Sequence, residues 1–297
     1  MSDNRPIGVF DSGVGGLTVL HAIQHHLPNE STIYVGDLAR CPYGPRPQSE
    51  VRGFALEIAD RLAELEIKAL VVACNTATAA AFDTLSTRYA FPVVGVIAPG
   101  AREAVRISDS GRIGVIATIG TVESGAYTRA IRRASPGAEV VQASASWLVP
   151  LIERGALARA AIAERLEPAL DVFRSAGIDT LILGCTHFPI VRDIFDREIG
   201  PGIHVLDSAE TTARELAAVL RECSFMAGGT PRHRIFVTGP AEAFAERAQA
   251  MFRESVEIEP WDAARGAAVT VGCSPEHDTL PSPGPVEPPP DAVSGPV

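Results

Sequence analysis

Nine short runs rich in β-branched and other apolar residues recur along this 297-residue chain. They lie at 7–10 (IGVF), 31–37 (STIYVGD), 69–74 (ALVVAC), 93–97 (VVGVI), 112–117 (RIGVIA), 138–143 (AEVVQA), 180–185 (TLILGC), 203–207 (IHVLD) and 234–238 (RIFVT). Helix-period segments separate them. From Glu50 to Leu65, apolar residues fall at Val51, Ala55, Ile58, Leu62 and Leu65, the spacing of an amphipathic helix. Helices also fit 122–134, 158–176 and 209–222. Near-continuous apolar strands alternating with helices specify a parallel sheet covered on both faces, so the fold class is α/β.

One thiol-bearing corner occurs twice. Cys74 ends ALVVAC and precedes Asn-Thr; Cys185 ends TLILGC and precedes Thr-His. Strand-like IGV begins at Ile7 and again at Ile113, 106 residues on, and the two cysteines stand 111 apart. Two signals at nearly one spacing indicate a duplicated supersecondary unit. Such a chain can set two thiols on opposite sides of one cleft, which suits removing a proton from one face of a carbon and delivering one to the other. A strand giving way to a helix also offers free N–H groups and a dipole end that favour thiolate.

Composition narrows the partners. A net charge of −10 and 26 basic residues against 36 acidic ones argue against direct nucleic-acid binding, since phosphates demand a positive field. Five cysteines without CxxC spacing suggest neither a disulfide framework nor a zinc site. Nothing resembles a signal peptide, and no apolar run is long enough to span a bilayer. A cytoplasmic location is expected. From about Ser274 the chain turns Pro-rich and acidic, and 274–297 reads as a disordered tail.

In parallel sheets ligands bind beyond the carboxyl ends of the strands. The loops there read DSGVGG, GDLARCPYG, CNT, ATIGT, CTHFP and DSAET. Asp11 is either a ligand-face carboxylate or a cap for the following turn, a role that Ser12 could also fill. GVGG (13–16) reads as a tight turn presenting N–H groups to an anion, and CPYGP could bind a carboxylate through Tyr43 and Gly44. His187, two residues past Cys185, is a cap, a core residue or a modulator of that thiol. Pro189 suits a first helical turn. Cys41 lies near these loops without an assigned role, and Glu153 reads as a surface or helix-start charge, with lining the cleft as the lesser alternative. A phosphatase loop is excluded by spacing, because Cys185 reaches Arg192 after six residues rather than five.

Taken together, GVFDSGVGGLTVL (8–20), GDLARCPYG (36–44), ACNTATA (73–79), GVIAPG (95–100), VPLIERG (149–155), LGCTHFP (183–189) and DSAETTA (207–213) resemble glutamate racemase. The resemblance covers most of 6–215. It implies two pseudo-symmetric, doubly wound parallel-sheet domains with the active site in the cleft between them. The first domain would comprise 1–97 and 208–261, and the second 98–207. Cys74 and Cys185 would be the two acid/base residues, Cys74 acting on the D isomer and Cys185 on the L isomer. Asp11, Ser12, Tyr43, Gly44, Asn75, Thr76, Thr186 and His187 would line the glutamate site.

No cofactor and no metal are implied, and the single lysine, Lys68, lies ahead of a strand, away from the ligand loops. The implied role is supply of D-glutamate for peptidoglycan. Aspartate racemase shares the two-cysteine logic, but the CPYGP turn favours glutamate. A homodimer is the family default. The chain begins without the long N-terminal extension of members activated by a cell-wall precursor, so that regulation is not expected. Some glutamate racemases are implicated in restraining DNA gyrase, which leaves contact with a partner protein as a second reading.

Overall fold

A computed structural model describes residues 2–155, 158–252 and 257–261. The Pro-rich tail lies outside the described residues. Among the described residues ten strands run β1 (Ile7–Asp11), β2 (Thr32–Gly36), β3 (Ala69–Val72), β4 (Val93–Gly95), β5 (Arg112–Ala117), β6 (Glu139–Ser144), β7 (Thr180–Gly184), β8 (His204–Asp207), β9 (His233–Val237) and β10 (Ile258–Pro260). They form two all-parallel sheets, one in each of two α/β domains. The first has the order β10-β9-β2-β1-β3-β4 and the second β6-β5-β7-β8. The second sheet therefore repeats the order of β2-β1-β3-β4. β9 and β10 come from the chain after the second sheet is complete and extend the first.

The repeat holds to the register. Ile7 pairs with Ala69, and Ile113 pairs with Thr180. The glycine of each IGV has a packing reason. A Cβ on Gly8 would stand 2.8 Å from Ile67 Cδ1, and one on Gly114 would stand 2.6 Å from Ile178 Cδ1. Each unit thus lays an isoleucine, just ahead of its third strand, over a bare backbone in its first. The short sequence match is the trace of one repeated packing solution.

Two readings from sequence are corrected here. The segment 122–134 is not one helix: Ile119–Ser124 ends where Gly125 adopts a left-handed conformation (φ 63°), and a second helix runs Ala126–Ala134. Gly125 ends the first helix because a left-handed residue cannot continue its hydrogen-bond ladder. The run ending at Cys185 leads into a 3-10 turn, Phe188–Val191, that contains Pro189, before the helix Arg192–Glu198. β10 is too short to be read from periodicity.

Lys68 is fully buried at the start of β3. Its ammonium lies 2.5 Å from the Glu30 carboxylate and donates to the carbonyls of Asp3 (2.5 Å) and Phe225 (2.6 Å). One cation thus ties together the N-terminus, the loop before β2 and the chain returning from the helix Ala209–Glu222. It lies at the amino ends of the strands, opposite the loops that follow them. Lys68→Ala would strand a buried carboxylate, a loss of roughly 3–5 kcal/mol. Chemical denaturation should show that loss, while kcat of the folded fraction stays within about twofold of the parent, as expected of a clamp remote from the cleft.

Candidate active site between the domains

Cys74 is the N-cap of the helix Asn75–Arg88, and its Sγ accepts the Ala77 N–H at 3.5 Å. The Ala-rich first turns of this helix allow it to sit close against its surroundings, with Asn75, Thr76, Ala77 and Thr78 all buried. Its thiol donates to Ser12 Oγ at 3.9 Å. Cys185 follows β7 directly, its Sγ 3.7 Å from His187 Nδ1. Both cysteines are nearly enclosed, at 5% and 6% exposure.

Asp11 links the two corners. Fully buried at the end of β1, it accepts the Gly13 and Gly16 N–H groups on Oδ2 (2.9 and 3.1 Å) and the Thr186 hydroxyl on Oδ1 (3.2 Å). The cap reading of Asp11 holds for one oxygen, which serves the turn, while the other reaches Thr186. The GVGG turn does present N–H groups to anions, but these belong to the protein itself. Gly13 and Gly16 serve Asp11, and the Val14 N–H donates to Glu153 Oε1 at 3.0 Å.

Glu153 is not a surface charge. It follows from the helix Leu148–Glu153 into the seam, where Oε1 also meets His187 Nε2 at 2.5 Å and the Cys41 thiol at 3.8 Å. Its motif, VPLIERG, was visible in the sequence, but a lone glutamate near a helix end carries no signal of a partner thirty-four residues away. Tyr127, Thr118, Thr121 and Ser208 were missed for the same reason. The Tyr127 hydroxyl donates to Asn75 Oδ1 at 2.7 Å and lies 3.2 Å from Ser208 Oγ, which leaves the Asn75 amide nitrogen as a donor. Thr76 Oγ1 stands 2.9 Å from Thr118 and 3.4 Å from Thr121, a cluster of three hydroxyls across the domain boundary.

Tyr43 and Gly44 sit on the same seam in different ways. The Tyr43 side chain is buried, with its hydroxyl donated to Asp37, a carboxylate that also pairs with Arg40. Gly44 accepts the Gly120 N–H at 3.0 Å, and a Cβ there would meet Thr118 Cβ at 2.8 Å. All the residues expected at the site therefore lie at or beside the boundary between the domains.

Charge is distributed unevenly. Burial raises the Cys74 thiol, and the Asp11 carboxylate raises it further, against a smaller opposing effect of the Ala77 N–H. The expectation that the helix N-terminus makes Cys74 a ready thiolate is therefore corrected, since desolvation outweighs the dipole. Burial alone would strip His187 of its proton, but hydrogen bonds to Cys185 and Glu153 and their charges hold it well above the usual imidazole range. Glu153 shows the reciprocal effect. Desolvation pushes it up, and the His187 hydrogen bond and charge bring it below the ordinary carboxylate range. The result is a buried imidazolium–carboxylate pair with its second ring nitrogen on Cys185.

Known proteins share this fold. Residues 14–216 match the family described as Asp/Glu/Hydantoin racemase. A glutamate racemase of Oceanobacillus iheyensis is 43% identical over 258 residues, covering 85% of this chain and 93% of that one. A solved glutamate racemase from Bacillus anthracis superposes with a TM-score of 0.85 at 39% identity, covering 88% of this chain and 99% of its own. Another, from Francisella tularensis in complex with D-glutamate, gives a TM-score of 0.81 at 33% identity, covering 87% and 97%. On its fold and on these matches, this chain belongs to the Asp/Glu/Hydantoin racemase family, among the glutamate racemases.

Proposed function

We propose that this protein interconverts L- and D-glutamate by a two-base mechanism without a cofactor, with Cys74 and Cys185 as the proton-transferring groups. The observation that supports it best is the placement of one thiol from each repeated unit at a shared boundary, joined through Ser12, Asp11 and Thr186. Cys185 takes the α-proton of L-glutamate while Cys74, as thiol, delivers one to the opposite face; the D isomer reverses these roles. Two cysteines so held supply the proximity that a weak carbon acid needs, worth roughly 7–11 kcal/mol of barrier.

His187 is a positioning residue in this reading. Its imidazolium pairs with negative charge on the Cys185 sulfur and is itself kept charged by Glu153. On the Cys74 side the Ala77 N–H and the Ser12 hydroxyl are the groups able to donate to a thiolate. Asn75, Thr76 and Thr186 hold the substrate α-carboxylate, where charge accumulates as the proton leaves, and Asp11 accepts from the substrate ammonium. Backbone at Tyr43 and Gly44 is the corresponding group for the side-chain carboxylate. Closing the two domains over bound glutamate would exclude water during proton transfer.

The family membership supports a role in supplying D-glutamate for peptidoglycan, in the cytoplasm. Among the described residues no helix is long and apolar enough to cross a membrane.

Incubation with L-glutamate in deuterated water, without added cofactor, should yield D-glutamate carrying one α-deuterium, with little label in the remaining L pool at early times. Cys74→Ala and Cys185→Ala should each lower racemisation by at least about 10²–10⁴-fold with an unchanged circular dichroism spectrum. Substantial two-way turnover in either variant would exclude the mechanism.

The charge pair gives a pH test. His187, raised in the folded protein, keeps its proton from acid pH until its own elevated value is passed. Glu153, lowered, stays ionised down to below the ordinary carboxylate range. The pair therefore spans neutrality and fails at both ends. Glu153→Gln removes one of the two groups, with Cys185, that hold the imidazolium, so the alkaline fall in kcat/KM for L-glutamate should move to lower pH. A profile superimposable on the parent would remove His187 from its positioning role.

A further inference from the structure

Beside the two-thiol site, three side chains of different chemistry converge on one point. One ligand atom from each of Cys41, Glu153 and His187 lies within 4.8 Å of the other two. The sulfur is 3.8 Å and the imidazole nitrogen 2.5 Å from the same carboxylate oxygen. The three come from separate segments, the loop after β2, the end of the helix Leu148–Glu153 and the corner after β7. Gly13 completes the wall: a Cβ there would stand 2.1 Å from Glu153 Oε1 and 3.3 Å from Cys41 Sγ. A cavity of about 340 Å3 between Leu38, Pro42, Pro150 and Phe244 reaches Cys41 and Glu153 from outside, so this cluster has its own approach.

We propose that Cys41, Glu153 and His187 form a binding site for a divalent transition ion, Zn2+ in particular, and that occupancy of this site inhibits the enzyme. A thiolate, an imidazole nitrogen and a carboxylate oxygen are the donor types that zinc takes, at about 2.0–2.3 Å each in a tetrahedron, with ligand atoms roughly 3.3–3.8 Å apart. The sulfur–oxygen separation already meets that spacing. The nitrogen–oxygen pair must open by about 1 Å, because an ion replaces the proton that now lies between them. The cavity beside Cys41 and Glu153 would supply the water for a fourth position. Binding displaces the Cys41 thiol proton and the Nε2 proton of His187, so two protons leave as the ion enters.

The metal preference has a charge argument. Glu153 here shares one oxygen among three donors, and a dication satisfies that oxygen with a single partner. Sulfur and imidazole favour a borderline ion such as Zn2+ over Mg2+ or Ca2+, which seek oxygen. The functional consequence rests on the reading of His187 above. With the ion on Nε2, the ring loses its Glu153-supported proton and is clamped at one orientation beside Cys185. The positive charge that served the Cys185 sulfur is then held by the ion, farther away across the ring.

The test separates binding from inhibition. In the full chain carrying Cys74→Ser and Cys185→Ser, equilibrium dialysis should find one Zn2+ per molecule. Co2+ in the same protein should show the charge-transfer absorption of a bound thiolate. Adding Cys41→Ser should weaken Zn2+ binding at least about tenfold and abolish that absorption. Equal binding with and without Cys41, or a Co2+ spectrum lacking the thiolate band, would overturn the site whatever the reaction proves to be. In a background with both catalytic cysteines intact, Cys41→Ser should racemise glutamate at the parent rate without metal and need at least about tenfold more Zn2+ for half-inhibition. Unchanged zinc sensitivity there would place the inhibitory ion on the other thiols and overturn the inhibitory role.

Discussion

The closeness of the loop after β1 to the second domain governs the rest of the cleft. A Cβ at Gly15 would stand 2.6 Å from both His187 Nδ1 and Thr186 Oγ1, and at Gly13 it would penetrate Glu153. No side chain fits at either point, so bare backbone is what lets the two domains meet. That contact brings Asp11 to Thr186 and Val14 to Glu153. It also closes the space around both cysteines, which is why they are so little exposed despite lying at loop positions.

Burial then sets the chemistry. Once water is excluded, every charge in the seam must be answered by another group, and the answers are unequal on the two sides. On the side of β7, Glu153 and His187 form a pair in which each sustains the ionisation of the other against desolvation. On the side of β3, Cys74 faces the negative charge of Asp11 and gains one long N–H contact. A duplicated framework has therefore produced two corners with matched backbones and different electrostatics. On the proposed two-base reading one thiol holds a proton while the other lacks one, and the two exchange these states with the isomer.

The duplication itself is preserved where packing demands it. The glycines of β1 and β5 persist in register because Ile67 and Ile178 fill the space over them. Elsewhere the two units have diverged. The first is widened by β9 and β10 and is tied across that return by Lys68, Glu30 and the Phe225 carbonyl. The second carries the short helix that delivers Glu153.

Local periodicity made the parallel α/β architecture legible, because an apolar run and a helical stripe each report burial of nearby residues. All nine strand runs correspond to strands, and the paired cysteine corners follow from the same repeat. The break at Gly125 and the three-residue β10 escaped because each depends on one residue's conformation or on a neighbouring strand. Glu153 escaped for a deeper reason. Its partners Val14, Cys41 and His187 are 139, 112 and 34 residues away, and no pattern within a segment encodes such meetings. Residue order thus set the elements, their repeat and the two thiols. Tertiary packing decided which charges those thiols face, because desolvation and contacts between residues far apart in the chain exist only after the elements have come together.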